Sequence, residues 1–158
     1  MRIVPARSER DIGDVRALFR EYEASLAVDL SVQGIAAEIA ALPGRYAPPR
    51  GALLLAHGPN GQALGCVGVR PFDRPGSCEI KRLYVRPAGR GSGAGRALVE
   101  GAIAFAHAAG YRDILLDSLS DMTAAIGLYR ALGFAAIPPY WASTLPGTLY
   151  FGKRLRPE

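Results

Sequence analysis

Between Val85 and Leu98 the chain reads VRPAGRGSGAGRAL. Gly89, Gly91, Gly93 and Gly95 fall at every second position, and Arg86, Arg90 and Arg96 stand before, among and after them. Apolar residues at helical spacing follow. Glycines let backbone N–H groups point into one concavity, and the start of the helix they open adds partial positive charge. Arg90 and Arg96 would add full charges. The chemistry that suits this loop is the holding of a phosphate; its alternative is a glycine-rich turn that joins a strand to a helix. Four glycines exceed what a connection needs, since each costs entropy on folding. No GxxxxGK[ST] occurs, so the loop is not a P-loop. Gly89-x-Gly91-x-x-Ala94 fits a dinucleotide fingerprint, but that fingerprint belongs in a first βαβ unit. Here it follows a three-strand meander, with only about 60 residues left for the rest of a doubly wound sheet.

Other chemistries find little support. Cys66 and Cys78 lie in separate strand-like runs, and read as buried, inert thiols rather than a disulfide framework or metal pair. His57 and His107 are far apart, and no HExxH or Cys/His cluster exists, so no metal is expected. The net charge of +5 could mark a nucleic-acid binder, but the arginines are scattered and no basic run carries interleaved aromatics. An anionic small-molecule ligand fits better, because of where Arg86, Arg90 and Arg96 fall. No window approaches a membrane span, and MRIVPARSERDIGDV has no apolar h-region, which points to a cytoplasmic protein.

The elements that must position the loop follow from periodicity. Arg2 to Pro5 reads as a strand. Ser8 caps a helix with Glu9 and Asp11 in its first turn and Ile12, Val15, Phe19, Tyr22 and Leu26 along one face. A second helix begins near Ser31, carries Val32, Ile35, Ile39 and Leu42, and stops at Pro43-Gly44. Strands over Ala52–His57, 63–72 and Cys78–Val85 form a meander, with Asn60-Gly61 at the first turn. After the loop come a helix over 93–109 ended by Gly110, a strand over 112–118, and a helix over Met122–Leu132 capped by Ser120 or Asp121. Strands over 134–141 and 148–155 close the chain. The order β-α-α-β-β-β-α-β-α-β-β predicts an α/β (α+β) fold with a mixed, mostly antiparallel sheet covered by helices on both faces. The 158 residues read as a single domain, 1–158.

A closer match to the loop is Arg90-x-x-Gly93-x-Gly95 after a strand ending in Val and Pro. With AAIGLYRALGF over Ala124–Phe134, an A-x-x-x-Y-x-x-x-G-F pattern about 30 residues further on, the chain resembles the GNAT superfamily of acyl-CoA-dependent N-acyltransferases. The element order matches over essentially the whole chain. The resemblance implies an N-acetyltransferase with acetyl-CoA as co-substrate, acting on a small primary amine, with no nucleic acid and no membrane, and with a homodimer as a common assembly. A non-catalytic acyl-CoA-binding module on the same fold is the alternative.

The resemblance also implies roles. Arg90, Gly91, Ser92, Gly93, Ala94, Gly95 and Arg96 would hold the pyrophosphate. Leu83 and Val85 would pair with the pantetheine arm like an added strand, with the Leu83 N–H against the thioester oxygen. Tyr129 stands where many members keep a tyrosine that donates to the departing sulfur; otherwise it is a core tyrosine. Glu79, six residues before Val85, would take the amine proton; otherwise it is a strand-surface glutamate paired with Lys81 or Arg82. Strand alternation places Glu79, Lys81, Leu83 and Val85 on one face and Ile80, Arg82 and Tyr84 on the other. Among apolar neighbours Glu79 would have a raised pKa. Met122 stands where members often have asparagine, so that side-chain contact is not expected. Acceptor selectivity would lie in 21–30 and 138–145, where Tyr140 and Trp141 wall an amine pocket or plug the sheet end.

Overall fold

The computed structural model describes residues 1–143 and 145–156, and every side chain among them except that of Val32. Val32, expected on the second helix's stripe, and Thr144, in the expected acceptor segment, therefore lie outside the described side chains and residues respectively.

After β1 (Arg2–Pro5), Ser8 caps α1 (Glu9–Ser25) in a capping box: its Oγ accepts the Asp11 N–H at 3.1 Å, and the Asp11 carboxylate accepts the Ser8 N–H at 3.2 Å. The second helix is shorter than predicted. A 3₁₀ turn over Leu30–Gln33 runs into Gly34 at φ 70°, and only then does α2 (Ile35–Ala40) begin. Left-handed backbone costs glycine little, so Gly34 breaks what side-chain periodicity reads as continuous.

The meander forms as β2 (Ala52–His57), β3 (Ala63–Pro71) and β4 (Ser77–Val85), followed by α3 (Ala94–Ala108), β5 (Asp113–Leu119), α4 (Thr123–Ala131), β6 (Ala135–Ala136) and β7 (Thr148–Arg154). The sheet order is β1-β2-β3-β4-β5-β7-β6, antiparallel except where β4 meets β5. α3 and α4 cover one face over Val67, Ile80 and Ile114; α1 and α2 cover the other over Leu53, Leu55 and Cys66. Both cysteines are buried, and burial, with the charges of Asp113 and Glu79, pushes the Cys78 thiol up to about 12. No helix among the described residues is long and apolar enough to cross a membrane.

Three local departures matter. β6 keeps only two residues of the expected 134–141 strand, extended by the Ile137 N–H to the Tyr150 carbonyl at 3.0 Å, because Pro138 and Pro139 cannot donate to a ladder. Neither Ser120 nor Asp121 caps α4 by its side chain. The N-cap is Met122, whose N–H goes to the Leu119 carbonyl at 3.0 Å, so backbone bonds close the turn instead. The third departure is a β-bulge: the β3–β4 register passes from Gly68↔Lys81 to Cys66↔Tyr84, so Val67 alone faces Arg82 and Leu83. Arg82 takes φ 60°, the one non-glycine residue at positive φ among those described.

Candidate active site

The bulge corrects the strand-face expectation. One extra residue reverses alternation, so Ile80, Leu83 and Val85 all pack on the α3–α4 face, while Tyr84 joins the α1–α2 core. Glu79 and Lys81 are therefore on the opposite face from Leu83 and Val85. β4 and β5 pair only through Ser77↔Asp113, Cys78↔Ile114 and Glu79↔Leu115, and then diverge. The Arg86 N–H donates to the Leu64 carbonyl at 2.8 Å on the β3 side. By alternation the peptide groups of Leu83 and Val85 face the other way, into the gap between β4 and β5.

A groove leads from the glycine loop into that gap, lined by Val85, Arg90, Gly95, Met122, Ala125 and Leu128. At its outer end Gly91 and Gly93 take φ 80° and 85°, and nothing lies within 4 Å of where a Cβ would be on either. Gly93 caps α3, whose first-turn N–H groups have no helical partner. Ala94 turns its methyl into the core, so only its backbone can serve the loop. The Ser92 hydroxyl donates to the Gly89 carbonyl, which fixes the turn. The arginines divide. Arg90 donates from Nε to the Val85 carbonyl at 3.2 Å and stays exposed beside the groove. Arg96 pairs with Glu100 at 3.3 Å on the outer surface of α3. Arg86, one of the three that pointed to an anion, is held by Glu21 at 2.7 Å.

The groove meets a deeper cavity that shares Tyr22, Leu83 and Met122 with it and reaches Lys81, Asp117 and Tyr129. Tyr129 is 6% exposed, and its ring packs edge-on against Phe134 at 5.8 Å. Its hydroxyl has no hydrogen-bond partner among the described residues. Burial, with Tyr22 and Asp117 behind it, pushes the phenol above its ordinary 10. It stays protonated at neutral pH and keeps a proton to donate into the cavity.

Glu79 is 2% exposed and is no surface glutamate. Nor are its neighbours apolar. It accepts from Tyr140 Oη at 2.8 Å and Arg70 Nε at 3.3 Å, and Lys81 Nζ stands 4.0 Å away. Lys81 also donates to Asp117 Oδ1 at 3.4 Å, and Trp141 Nε1 donates to Asp117 Oδ2 at 2.7 Å. The aromatic pair thus anchors the two carboxylates. Tyr140 also packs edge-on against Phe72 and Tyr150 at 5.0 and 5.3 Å, the packing expected of a plug over the sheet end.

Asp117 and Arg70 belong to this site without having been picked from the sequence. Asp117 is an acid inside an apolar strand, and Arg70 sits directly across from Glu79 in the hairpin register. Behind them Glu38 of α2 accepts from Arg82 Nε at 3.0 Å and Arg70 Nη1 at 3.2 Å, and Gln33 accepts from Arg82 Nη1 at 2.8 Å. Burial alone would raise the Glu38 carboxyl; the hydrogen bond and charge of Arg82, then the charge of Arg70, outweigh it and hold Glu38 below its ordinary 4.5.

Known proteins share this architecture. The chain is similar to a protein described as an uncharacterized N-acetyltransferase of Schizosaccharomyces pombe, 40% identical over 141 residues that cover 89% of this chain and 86% of that one. A Dictyostelium discoideum protein of the same description is 27% identical and is covered over 92% of its length. Among solved structures, a GNAT-family acetyltransferase of Staphylococcus aureus superimposes with a TM-score of 0.79 at 16% identity, over 98% of this chain and 99% of that one. A Salmonella typhimurium acetyltransferase, solved with its cofactor acetyl-CoA, superimposes at 0.72 and 22% identity, over 100% and 95%. Residues 16–134 match the model of the Acetyltransferase (GNAT) family, and with that match the chain belongs to the GNAT acetyltransferases.

Proposed function

We propose that residues 1–158 act as one N-acetyltransferase domain that moves an acetyl group from acetyl-CoA to the primary amine of a small acceptor. The observation that carries this reading is the gap between β4 and β5. It has the glycine loop at one end, the β4 edge at Leu83 and Val85 along its side, and the partnerless phenol of Tyr129, with Lys81 and Asp117, at its inner end. The residues fit acetyl-CoA as substrate. Backbone N–H groups of Gly91 and Gly93 and of the first turn of α3 suit the pyrophosphate, with Arg90 alongside. The edge of Leu83 and Val85 suits the amides of the pantetheine arm. The acetyl-CoA bound to the Salmonella typhimurium relative of the same fold supports that fit.

The reaction balances without a further reagent. The amine nitrogen bonds to the thioester carbon, the carbon–sulfur bond breaks, and the amine loses one proton. Glu79 takes that proton, directly or through water. The Leu83 N–H donates to the carbonyl oxygen as charge develops there. Tyr129 donates a hydrogen bond to the departing sulfur. Arg96, paired with Glu100 on the outer side of α3, contributes charge at a distance rather than contact.

Calorimetric titration with acetyl-CoA, with NADH as control, is the test. Micromolar binding of acetyl-CoA alone supports the reading. No binding leaves the loop as a structural turn and removes the reading with it.

A further inference from the structure

Beyond Glu79, on the side away from the glycine loop, lies a third cavity lined by Gln33, Arg70, Phe72, Glu79, Lys81 and Trp141. Its charges are already matched. Glu79 and Asp117 hold Lys81 between them, at 4.0 and 3.4 Å, and Arg70 bridges Glu79 and Glu38, at 3.3 and 3.2 Å. The carboxylates a cationic acceptor would seek therefore have resident cations. What remains unused is positive. Arg70 is one-fifth exposed, and its Nη2 has no partner among the described residues. Lys81 has three donors and one hydrogen bond, to Asp117. These donors flank the carboxylate placed to deprotonate the amine.

We infer that the acceptor carries a carboxylate next to its amine: an α-amino acid, or a close analogue, whose carboxylate binds Arg70 and Lys81 while its nitrogen meets Glu79. The inference rests on the acetyltransferase reading above. The spacing suits it, because an α-amino acid holds its nitrogen and carboxylate oxygens about 3 Å apart. That is the scale on which Arg70 and Lys81 bracket Glu79. Trp141 and Phe72 give the side chain of the acceptor an apolar wall. A polyamine or an aminoglycoside would bring two or more positive charges beside Arg70 and Lys81 with no free carboxylate to meet them.

The test measures CoA thiol release by the full chain with acetyl-CoA and matched acceptors. These are L-phenylalanine, L-phenylalaninamide and phenethylamine, the equivalent sets with thioether and branched side chains, and spermidine and kanamycin. The amide matters because its amine is the less basic, so preference for the acid cannot come from a readier free base. The expected result is kcat/KM for an amino acid at least about 30-fold above its carboxylate-free partners, the scale of a hydrogen-bonded charge contact. Arg70→Gln should bring that ratio within about threefold while acetyl-CoA binding, read by calorimetry, is unchanged. Equal or better turnover of phenethylamine, spermidine or kanamycin overturns the proposal and leaves the acetyltransferase reading standing. So does binding of acetyl-CoA with no acetylation of any amino acid. Failure to bind acetyl-CoA removes the underlying reading instead. Should Arg70→Gln not fold, the acid-to-amide ratio of the unaltered protein decides alone.

Discussion

Replacing Tyr129 with phenylalanine separates chemistry from packing at one position. The ring is 6% exposed and rests on Phe134 at 5.8 Å, contacts that phenylalanine keeps. The hydroxyl makes no hydrogen bond to any described residue, so its removal orphans no partner. Stability should change by less than about 0.5 kcal/mol, and Tm by less than about 2 °C for a chain of this size. The catalytic effect should be much larger. A phenol has an ordinary pKa of about 10 and a thiol about 8.5, and burial raises Tyr129 further. Full proton transfer to a departing thiolate is therefore uphill, and the hydroxyl acts by donating a hydrogen bond as charge gathers on sulfur. Loss of one such donor in a water-poor site costs about 10²-fold in kcat, roughly 2.7 kcal/mol. On the proposed reading the loop and groove bind the rest of the co-substrate, so KM for acetyl-CoA should move less than about threefold. The assay is steady-state thiol release with a melting curve on the same preparation. A kcat within threefold of the unaltered protein, at unchanged Tm, refutes the role; a Tm lowered by 5 °C or more refutes the description of the hydroxyl as partnerless.

Glu79→Gln should lower kcat/KM about 10²-fold at a fixed pH with acetyl-CoA binding unchanged, since on the proposed reading it accepts the amine proton; turnover within threefold of the unaltered protein places the base elsewhere. Gly93→Ala puts a Cβ on backbone at φ 85° with open space around it. It should cost about 1–2 kcal/mol of stability through the backbone alone and weaken acetyl-CoA binding about tenfold, and intact affinity in calorimetry would free the loop from that duty. Glu38→Gln leaves buried Arg82 without its carboxylate and should cost roughly 3 kcal/mol in urea unfolding at pH 7. The Glu38 carboxyl is held low in the fold, so its stabilisation is complete above its ordinary 4.5 and fades as pH falls through the depressed value. The unaltered protein should therefore lose more stability than Glu38→Gln on acidification below about 4.5, and equal losses would refute the pairing.

Much of the positioning frame is legible in the sequence because it depends on local signals. The Ser8 cap, the Asn60-Gly61 turn and Gly110 after α3 each depend on a few adjacent residues, and each appears in the structure. The glycine loop is legible for the same reason. What escapes depends on backbone angle or on partners far along the chain. Gly34 ends one helical segment and starts another through a single φ of 70°. Asp117 reaches the site through the pairing of β4 with β5, and Glu38 and Gln33 through the packing of α2 and the 3₁₀ turn on the sheet face. The bulge at Arg82 had a signal that strict alternation overlooks. The apolar residues of the strand, Cys78, Ile80, Leu83 and Val85, are spaced by two, three and two, and the step of three marks the extra residue.

That extra residue links the two halves of the site. A non-glycine residue at φ 60° costs about 1–3 kcal/mol and persists only when its surroundings hold it. Arg82 is held by Glu38 and Gln33, from α2 and the 3₁₀ turn before it. The same bulge turns Leu83 and Val85 onto the face opposite Glu79 and accompanies the parting of β4 from β5. An unbroken strand would place Glu79, Leu83 and Val85 on one face of the sheet. With the bulge, Glu79 looks toward the cavity of Trp141 and Arg70, while the edge at Leu83 looks toward the groove of the glycine loop. Acceptor and acyl donor can then approach one point from opposite faces of the sheet. The ion pair between Arg82 and Glu38, at 3.0 Å, holds the bulge on which that arrangement depends.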